Sequence, residues 1–325
     1  MKVLAAGKHG CIFDRPLPMM NNESERMPKV HVKLPKLLGK LFNADAGFEK
    51  EWELAKRIAV LDKKQEYFVY AIEKGTCNVD ELKKHGSECA FLQNPKKAVY
   101  GQLIIPDGGV SLEAYISDRK KQLSYADGLR LLMPCFKGIQ RLTRASWLHQ
   151  DLHPGNIVVD DNGRARIIDF GLMVNSDDAF DKKKNPYSRS PYYLHPPEYR
   201  MDKPWSGEKT LYERRASCDP NVSLWNVMEA AHMLDLNEMY YKAFANYMKA
   251  SKKAGEDAKI ARVLRKHAPR VDVYTMGVVM AWMAPAIVDA DKEKWYALMV
   301  ELLCADPRRR TSVTLALQYI QRVIA

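Results

Sequence analysis

Three oxygen-bearing side chains lie at the ends of short apolar runs in the middle of this sequence. They are Asp151, Asn156 and Asp169, and the apolar runs beside them are typical of strands. Carboxylate and amide oxygens are ligands that hard divalent cations such as Mg²⁺ prefer, and such a cation also carries phosphate groups. Residues 147–171 are therefore where we expect chemistry on a phosphate.

Length and composition describe the scaffold that must position these groups. The chain has 325 residues, of which 46% are hydrophobic and 28% charged. A chain of this length can form a large core, and the length favours two domains or one two-lobed domain. No apolar run approaches the roughly 18 to 20 residues that span a bilayer, and no signal-peptide pattern follows Met1. We expect a soluble, intracellular protein with no membrane contact.

Cysteine spacing and net charge limit which metals, disulfides and binding partners we expect. The six cysteines include no C-x-x-C pair, which argues against a zinc ribbon or a disulfide framework and favours reduced, mainly buried thiols. A net charge of +11 would attract anions, whether nucleotides, nucleic acid or acidic protein surfaces. A solvated lysine-rich surface explains the same charge.

The first residues predict a strand, a glycine turn and a second strand. Aligned as G-x-G-x-x-G-x-V, the sequence has Ala5 at the first glycine, Gly7 and Gly10 at the others, and Ile12 at the valine. Glycines allow the backbone to approach phosphate closely, so this turn is a candidate cover for a nucleotide. A plain hairpin remains the alternative.

A lysine and a glutamate are the next candidates. Residues 29–34 alternate as a half-buried strand does, and Lys33 on that strand is the lysine predicted to reach phosphate. Apolar residues at helical spacing predict a helix over residues 45–61. Within that helix, Glu51 is predicted to pair with Lys33, with Glu53 as the next choice. A solvated lysine and a helix-dipole effect of the glutamates explain the same residues.

Further elements lead to the central stretch. Strands are predicted over residues 67–72 and 98–105, and the second runs into a Pro-Gly turn at 106–112. We interpret that turn as a hinge at which the backbone of Ile105 to Gly108 could bind an adenine edge. A core helix is predicted over residues 127–147.

The motif H-Q-D-L-H-P-G-N at 149–156, followed by D-F-G at 169–171, resembles the catalytic loop and metal-binding triplet of the protein kinase superfamily. The resemblance implies that Asp151 accepts the proton of the attacking hydroxyl, and that Asn156 and Asp169 hold Mg²⁺, with Mn²⁺ as a substitute. It also implies that Lys33 and Glu51 grip the phosphates of ATP. We expect His149 to be structural.

Later motifs separate protein kinases from small-molecule kinases. Pro197-Glu198 resembles the end of an activation segment, and Asp272 resembles the buried aspartate that braces the catalytic loop. Arg310 resembles the late arginine, so we expect it to pair with Glu198. The H-P-G-N ending also resembles aminoglycoside phosphotransferases, but those families generally lack the later motifs. Protein is therefore the predicted substrate.

Two residues depart from the kinase pattern. Gln150 replaces the arginine that in many kinases pairs with a phosphorylated activation segment, so we expect activity not to depend on that phosphorylation. His153 replaces the usual lysine of serine/threonine kinases, which leaves less positive charge for the γ-phosphate at neutral pH. A pseudokinase or nucleotide-binding scaffold is the rival interpretation.

A long insertion separates Glu198 from Asp272. It holds 73 residues and includes a predicted helical part at 224–248. Its basic end, residues 249–270, has eight Lys and Arg against two acidic residues. This end is a candidate contact for nucleic acid or an acidic partner, and a solvated helix face is the alternative.

The whole pattern predicts an α+β, two-lobed protein kinase-like fold with a small antiparallel β-sheet lobe and a larger helical lobe. Residues 1–106 are predicted as the nucleotide-binding lobe and residues 107–325 as the catalytic lobe, with the insertion at about 200–270. The short N-terminus and the insertion resemble serine/threonine kinases of nucleocytoplasmic large DNA viruses. That resemblance implies a host-cytoplasm or virion location and a serine/threonine protein kinase that uses ATP.

Overall fold

The computed structural model describes most of the chain, namely residues 2–7, 10–20, 24–27, 36–42, 45–78, 80, 89–93, 97–117, 121–181, 183–185, 196–199 and 224–325. The chain divides into two compact units. The N-terminal unit comprises Met1–Gly109 together with Ile168–Gly171, and the C-terminal unit comprises Val110–Ile167 together with Leu172–Ala325. The D-F-G triplet thus belongs to the N-terminal unit. The α+β class is confirmed.

Across its described residues, the N-terminal unit contains a six-stranded antiparallel sheet. Its strands are β1 (Val3–Gly7), β2 (Gly10–Phe13), β3 (Glu25–Arg26), β4 (Leu37–Phe42), β5 (Glu73–Asn78) and β6 (Val99–Pro106). They lie in the order β1-β2-β4-β6-β5-β3, and each neighbouring pair is antiparallel. A buried cluster lies against this sheet and includes Phe13, Leu41 and Tyr100.

The two strands on either side of the glycine turn pair antiparallel, as predicted, with Gly7 opposite Gly10 across β1 and β2. At Gly10 a Cβ atom would lie 2.0 Å from the carbonyl oxygen of Leu41. That approach leaves no room for any side chain, so the close contact between β2 and β4 requires glycine here.

Two strand predictions need comment. Residues 29–34 lie outside the described residues, whereas a strand that was not predicted, β4, follows them. The strand predicted at 67–72 is wrong, because the strand in this region is β5, beginning at Glu73. Residues 68–72 are buried, and burial of a short apolar run does not by itself distinguish a strand from an extended loop.

Helix α1 (Asp45–Leu61) begins and ends at the predicted residues. Its core face is formed by Phe48, Trp52, Ala55 and Ile58, all less than a tenth exposed. These residues recur every three or four positions, which is the period of a helix with one buried face. Two short helices follow in the chain, α2 (Ala90–Gln93) in this unit and α3 (Leu112–Ser117) in the next.

A disulfide joins Cys11 on β2 to Cys89, which precedes α2. The expectation of reduced thiols is therefore wrong for this pair. Three cysteines that the structure describes, Cys77, Cys135 and Cys304, are free and buried, as expected. The bridge spans 78 residues of sequence, and nothing in the local spacing of the cysteines indicates it.

Helices dominate the C-terminal unit. They are α3, α4 (Tyr125–Arg144), α5 (Leu224–Ala230), α6 (Leu234–Lys253), α7 (Asp257–His267), α8 (Val271–Met283), α9 (Lys292–Leu302) and α10 (Val313–Ile324). Short strands form two small sheets: β7 (Val110–Ser111), β9 (Ile157–Val159) and β10 (Ala165–Ile167) make one, and β8 (Trp147–Leu148) with β11 (Val174–Asn175) makes the other.

Two helices support the central stretch. Helix α4 begins at the side chain of Ser124, whose Oγ accepts the backbone N–H of Asp127, and it buries the predicted core face. Helix α8 is hydrophobic on all sides, and every residue from 271 to 281 is buried. A helix buried in this way passes through a core, so any polar side chain on it needs a partner.

The insertion packs onto the C-terminal unit through α6. Asn237 accepts the backbone N–H of Ala305 at 2.9 Å and donates to the carbonyl of Leu303 at 3.2 Å. The guanidinium of Arg308 lies 5.1 Å from the ring of Phe244 and 4.7 Å from that of Tyr247. The predicted helical segment is interrupted between α5 and α6, where His232 has a φ of 52°.

Across the part of the chain that the structure describes, every helix is too short or too polar to cross a membrane.

We predict that the Cys11–Cys89 bridge stabilises the N-terminal unit. Replacing both cysteines with alanine should lower the free energy of unfolding by about 2–4 kcal/mol, because the cross-link restricts a long loop in the unfolded chain. Urea unfolding of the oxidised wild type and of the double variant measures this difference. Cys135→Ala, which removes a buried free thiol, is the control for lost packing. Equal stability of the wild type with and without reductant would contradict the prediction.

Candidate active site

The catalytic-loop motif is fixed from beneath by Asp272 on α8. This side chain is fully buried, and its two carboxylate oxygens accept the backbone N–H groups of His149 at 2.7 Å and Gln150 at 2.9 Å. Burial raises the pKa of Asp272 to about 6, and the two N–H donors oppose that rise. The bracing role predicted for Asp272 is confirmed.

The loop backbone is unusual at the residue before Asp151. Gln150 has a φ of 67°, in the left-handed region that non-glycine residues rarely adopt. His149 is fully buried, and its Nδ1 accepts the backbone N–H of Asp151 at 3.2 Å. The imidazole therefore supports the loop from inside, as expected for a structural residue.

Asn156 is held against Asp151 by its amide nitrogen. Its Nδ2 donates to the carbonyl oxygen of Asp151 at 2.9 Å and to the carboxylate oxygen Oδ2 at 3.1 Å. This orientation directs the donor atom of the amide to Asp151 and leaves its oxygen for a cation. The short turn Pro154–Asn156 is capped by His153, whose Nδ1 accepts the backbone N–H of Gly155 at 3.1 Å.

The D-F-G triplet lies in the N-terminal unit with α1. Asp169 has a φ of 60°, and its Oδ1 accepts the backbone N–H of Gly171 at 3.3 Å. Phe170 is buried and packs edge-on against Phe68 with ring centroids 5.7 Å apart. The carbonyl of Gly171 accepts the ammonium of Lys50 at 2.8 Å, which ties the triplet to α1.

A lysine–glutamate ion pair lies beside Asp169. The Nζ of Lys40 on β4 is 2.6 Å and 2.8 Å from the two carboxylate oxygens of Glu51 on α1, and 3.9 Å from Oδ1 of Asp169. Both side chains of the pair are 16% exposed. Burial alone would lower the pKa of Lys40, but Glu51 and Asp169 outweigh it, so the pKa is raised and the amine stays charged.

The predicted pairing of Glu51 with Lys33 is thus corrected to Lys40. Lys33 itself lies outside the described residues. The alternating pattern at 29–34 favoured Lys33, yet the strand that adjoins β2 and β6 is β4, only 11 residues before Glu51. Gly39 precedes Lys40, and a Cβ at Gly39 would lie 2.4 Å from the side chain of Gln102, which is a contact that only the structure shows. Glu53, the second choice, pairs with Lys56 instead.

Sheet register places other predicted residues near Lys40. Ile12 on β2 lies directly opposite Lys40, and Gly10 lies opposite Phe42. Ile105 on β6 lies opposite Leu38. The register therefore brings the glycine hairpin and the strand before the predicted hinge to the two sides of β4. Nucleotide binding by Gly7, Gly10, Ile12 and Ile105 stays a prediction.

Glu198 and Arg310 form a buried, bidentate ion pair, so that prediction is confirmed. Two guanidinium nitrogens of Arg310 donate to the two oxygens of Glu198 at 2.7 Å and 2.8 Å, and the side chains are 1% exposed or less. Arg310 also donates to the carbonyl oxygens of Cys304 and Arg270. A desolvated arginine with this many acceptors is well compensated.

Across the residues that the structure describes, there is no cluster of three or more His, Cys, Asp or Glu that could hold a metal by itself. Asp169 in the N-terminal unit offers one carboxylate, and Asn156 in the C-terminal unit offers one amide oxygen. Mg²⁺ usually keeps several waters and binds through one or two carboxylates together with substrate phosphates. A carboxylate such as Asp169 would suit a cation that arrives with a nucleotide.

Comparison with known families identifies the class. Residues 1–212, more than half of the chain, match the family described as "Protein tyrosine and serine/threonine kinase". The chain therefore belongs to the protein kinase family.

Individual relatives are distant. "Dual specificity protein kinase shkB" of Dictyostelium discoideum is 25% identical over 188 residues, which are 54% of this chain and 26% of that protein. "Dual specificity protein kinase shkC" of the same organism is 26% identical over 150 residues, or 44% of this chain and 28% of that protein. "Stress-activated protein kinase JNK" of Suberites domuncula is 39% identical over 66 residues, 20% of this chain and 18% of that protein. The chain thus spans less than a third of the length of each of these relatives.

We predict that Asp272→Asn destabilises the chain by about 2 kcal/mol, because an amide NH₂ group cannot accept and leaves one buried N–H of the catalytic loop without a partner. Urea unfolding measures the change in free energy. Asp161→Asn, at an exposed turn position, is the matched control and should be within about 0.5 kcal/mol of wild type. Equal stability of the two variants would show that Asp272 does not brace the loop.

Proposed function

We propose that this chain is an ATP- and Mg²⁺-dependent enzyme that transfers the γ-phosphoryl group of ATP to serine or threonine hydroxyls of proteins. The observation that carries the proposal is the pair Lys40–Glu51 with Asp169 beside it. A buried lysine held by a glutamate and facing a second carboxylate suits the phosphates of a nucleotide and the cation that they bring.

The chain's own residues have distinct tasks in this proposal. Asp151 accepts the proton of the acceptor hydroxyl, and the two hydrogen bonds from Asn156 hold it in place. Lys40 contributes a fixed positive charge toward the α- and β-phosphates, since Glu51 determines where its ammonium lies. In a loose phosphoryl-transfer transition state, such positioning and countercharge supply most of the catalysis.

Asp169 and the free amide oxygen of Asn156 are the proposed ligands of Mg²⁺, for which Mn²⁺ is a plausible substitute. When bound, the cation would neutralise charge on the phosphates. We propose that residues 1–106 bind the nucleotide and that residues 107–325 carry the base and bind the acceptor protein.

The choice of serine and threonine rests on the sequence of the catalytic loop, which does not resemble that of tyrosine kinases. The relatives named above include two called dual specificity kinases, so tyrosine is the alternative acceptor to test. The resemblance to kinases of large DNA viruses, with a host-cytoplasm or virion location, stays a proposal based on the motifs G-K-H-G-C-I-F and P-D-G-G-V-S-L and on the insertion.

Specific observations favour the proposed protein kinase over two rival functions, a pseudokinase or scaffold and a small-molecule kinase. A pseudokinase or scaffold does not require Lys40, Glu51, Asp151, Asn156 and Asp169 together, and all five are present. A small-molecule kinase does not require the buried Glu198–Arg310 pair, which orders the end of the segment that precedes the insertion.

Transfer of labelled phosphate from ATP to a panel of proteins tests the proposal. We predict that Lys40→Met lowers kcat/KM by about 100-fold or more, because the phosphates lose a desolvated countercharge. Lys33→Met is the matched control and should stay within about threefold of wild type. Asp151→Asn and Asp169→Ala should also lose activity.

Four outcomes would contradict parts of this proposal. Equal transfer by wild type, Asp151→Asn and Asp169→Ala would exclude catalysis by this site. A large loss in Lys33→Met with an active Lys40→Met would restore the original assignment of Lys33. Transfer to an aminoglycoside but to no protein would favour the small-molecule kinase, and phosphotyrosine as the main product would reject serine/threonine specificity.

A second proposal concerns a partner that binds the basic end of the insertion. On α7, Arg262, Arg265 and Lys266 are exposed, and no ion pair involves them among the residues that the structure describes. Nearby, burial and the charges of Arg270 and Lys266 lower the pKa of His267 to about 4, which keeps it neutral. An exposed cationic face of this kind suits nucleic acid or an acidic protein.

We predict salt-sensitive binding of single-stranded nucleic acid through α7. Replacing Arg262, Arg265 and Lys266 with glutamine should lower the slope of log affinity against log salt by about 2–3, because three phosphate contacts are lost. Fluorescence anisotropy over a salt series measures the slope. Lys242→Gln together with Lys294→Gln, on exposed faces of other helices, is the control. An unchanged slope would leave the solvated helix face as the explanation.

A further inference from the structure

The side chain of Gln150 is fully buried, although it occupies the position before the proposed base. Its Nε2 donates to the hydroxyl oxygen of Tyr199 at 3.2 Å, and its Oε1 accepts Nδ2 of Asn185 at 3.1 Å. The same Nδ2 also donates to the carbonyl oxygen of Ala179 at 2.7 Å. Gln150, Asn185 and Tyr199 thus form a buried network of uncharged groups, which we call the amide latch.

The latch joins three separate pieces of the C-terminal unit. Asn185 belongs to the segment that follows the D-F-G triplet, and Tyr199 follows Glu198 at the far end of that segment. Gln150 is part of the catalytic loop. Two residues of the segment, one in its middle and one at its far end, are therefore connected to the residue beside Asp151, through side chains that are at most 6% exposed.

The latch also bears on the backbone of the catalytic loop. The left-handed φ of Gln150 costs free energy, and such a conformation persists only where the surroundings hold it. The carboxylate of Asp272 accepts the backbone N–H of Gln150. The side-chain amide of Gln150 is bound separately, by the other two members of the latch. Because Asp151 follows directly in the chain, the direction of its carboxylate depends on both restraints.

The members of the latch are uncharged. They are two amides and a phenol, and the three hydrogen bonds described above join neutral groups. Burial, followed by the nearby charges of Glu198 and Asp272, raises the pKa of Tyr199, so its hydroxyl keeps its proton. The ring of Phe180 packs against that of Tyr199 with centroids 4.9 Å apart.

We infer that Asn185 and Tyr199 are positioning residues for phosphoryl transfer, and that the amide latch holds these two described residues of the segment between D-F-G and Glu198 against the catalytic loop without phosphorylation of that segment. The inference rests on the proposed function, because it concerns how the base of that reaction is held. The inference also gives a role to the glutamine at position 150, which bonds both other members of the latch. Removing the latch should lower kcat and leave nucleotide affinity unchanged, since Lys40, Glu51 and Asp169 belong to the other unit.

The first test compares phosphorylation states of the wild type. The enzyme is treated with a broad-specificity protein phosphatase, the phosphatase is removed, and intact mass confirms the unphosphorylated state before short initial-rate assays. The treated enzyme should retain activity within about twofold of the untreated enzyme. A loss of tenfold or more that returns when the segment is phosphorylated again would overturn the inference.

The second test removes latch members singly. Asn185→Leu deletes both side-chain donations, and Tyr199→Phe deletes only the hydroxyl and keeps the ring against Phe180. Each should lower kcat by about tenfold, because an unpaired buried amide lets Gln150 leave its conformation. The KM for ATP should stay within about twofold. Asn162→Leu, at an exposed turn position, is the control and should match wild type.

Thermal unfolding separates positioning from folding. Variants that stay folded with a lower kcat and an unchanged KM for ATP would support the inference. Wild-type kcat in both variants, or loss of the fold in both, would overturn it. Failure of the proposed function appears differently, as a wild type that transfers no label to any protein.

Discussion

One buried carboxylate sets the geometry on which the rest of the candidate site depends. Asp272 lies on a helix with no exposed face over residues 271–281, so its position is determined by packing on every side. Its two oxygens are both used by adjacent backbone N–H groups. The backbone of the catalytic loop is therefore fixed to the core. This restraint allows Gln150 to keep its left-handed conformation next to the proposed base. Without that anchor, the hydrogen bonds between Asp151 and Asn156 would join two residues of a free loop.

Sequence reasoning recovered the parts of the site that depend on local spacing. The loop at 149–156, the triplet at 169–171 and the helix over 45–61 all follow from motif or periodicity, and the buried pair Glu198–Arg310 follows from the family resemblance. Lys40 was missed because alternation at 29–34 favoured Lys33, and alternation does not show which lysine lies beside Glu51. The position of Lys40 depends on contacts between strands, namely Gly39 against Gln102 and Ile12 opposite Lys40.

The disulfide and the amide latch were missed for a related physical reason. Cys11 and Cys89 are 78 residues apart, and Gln150 and Tyr199 are 49 apart. Such pairs are created by the fold and leave no periodic signature in the sequence. The substitution at Gln150 was visible as a departure from the kinase pattern, but its partners were not. A departure of this kind indicates where a compensating contact should be sought, and the structure places it in Asn185 and Tyr199.

The two residues that flank the insertion are both firmly held. Glu198 is bound to Arg310, and Asp272 is bound to the catalytic loop, so the 73 residues between them begin and end at fixed points. Loop-closure entropy grows only with the logarithm of length, and extending a ten-residue connection to this size costs roughly 1–2 kcal/mol. Growth or loss of sequence between these anchors could therefore proceed over evolutionary time with little effect on the base. The insertion is a place where new binding surfaces can arise without a change in the catalytic loop.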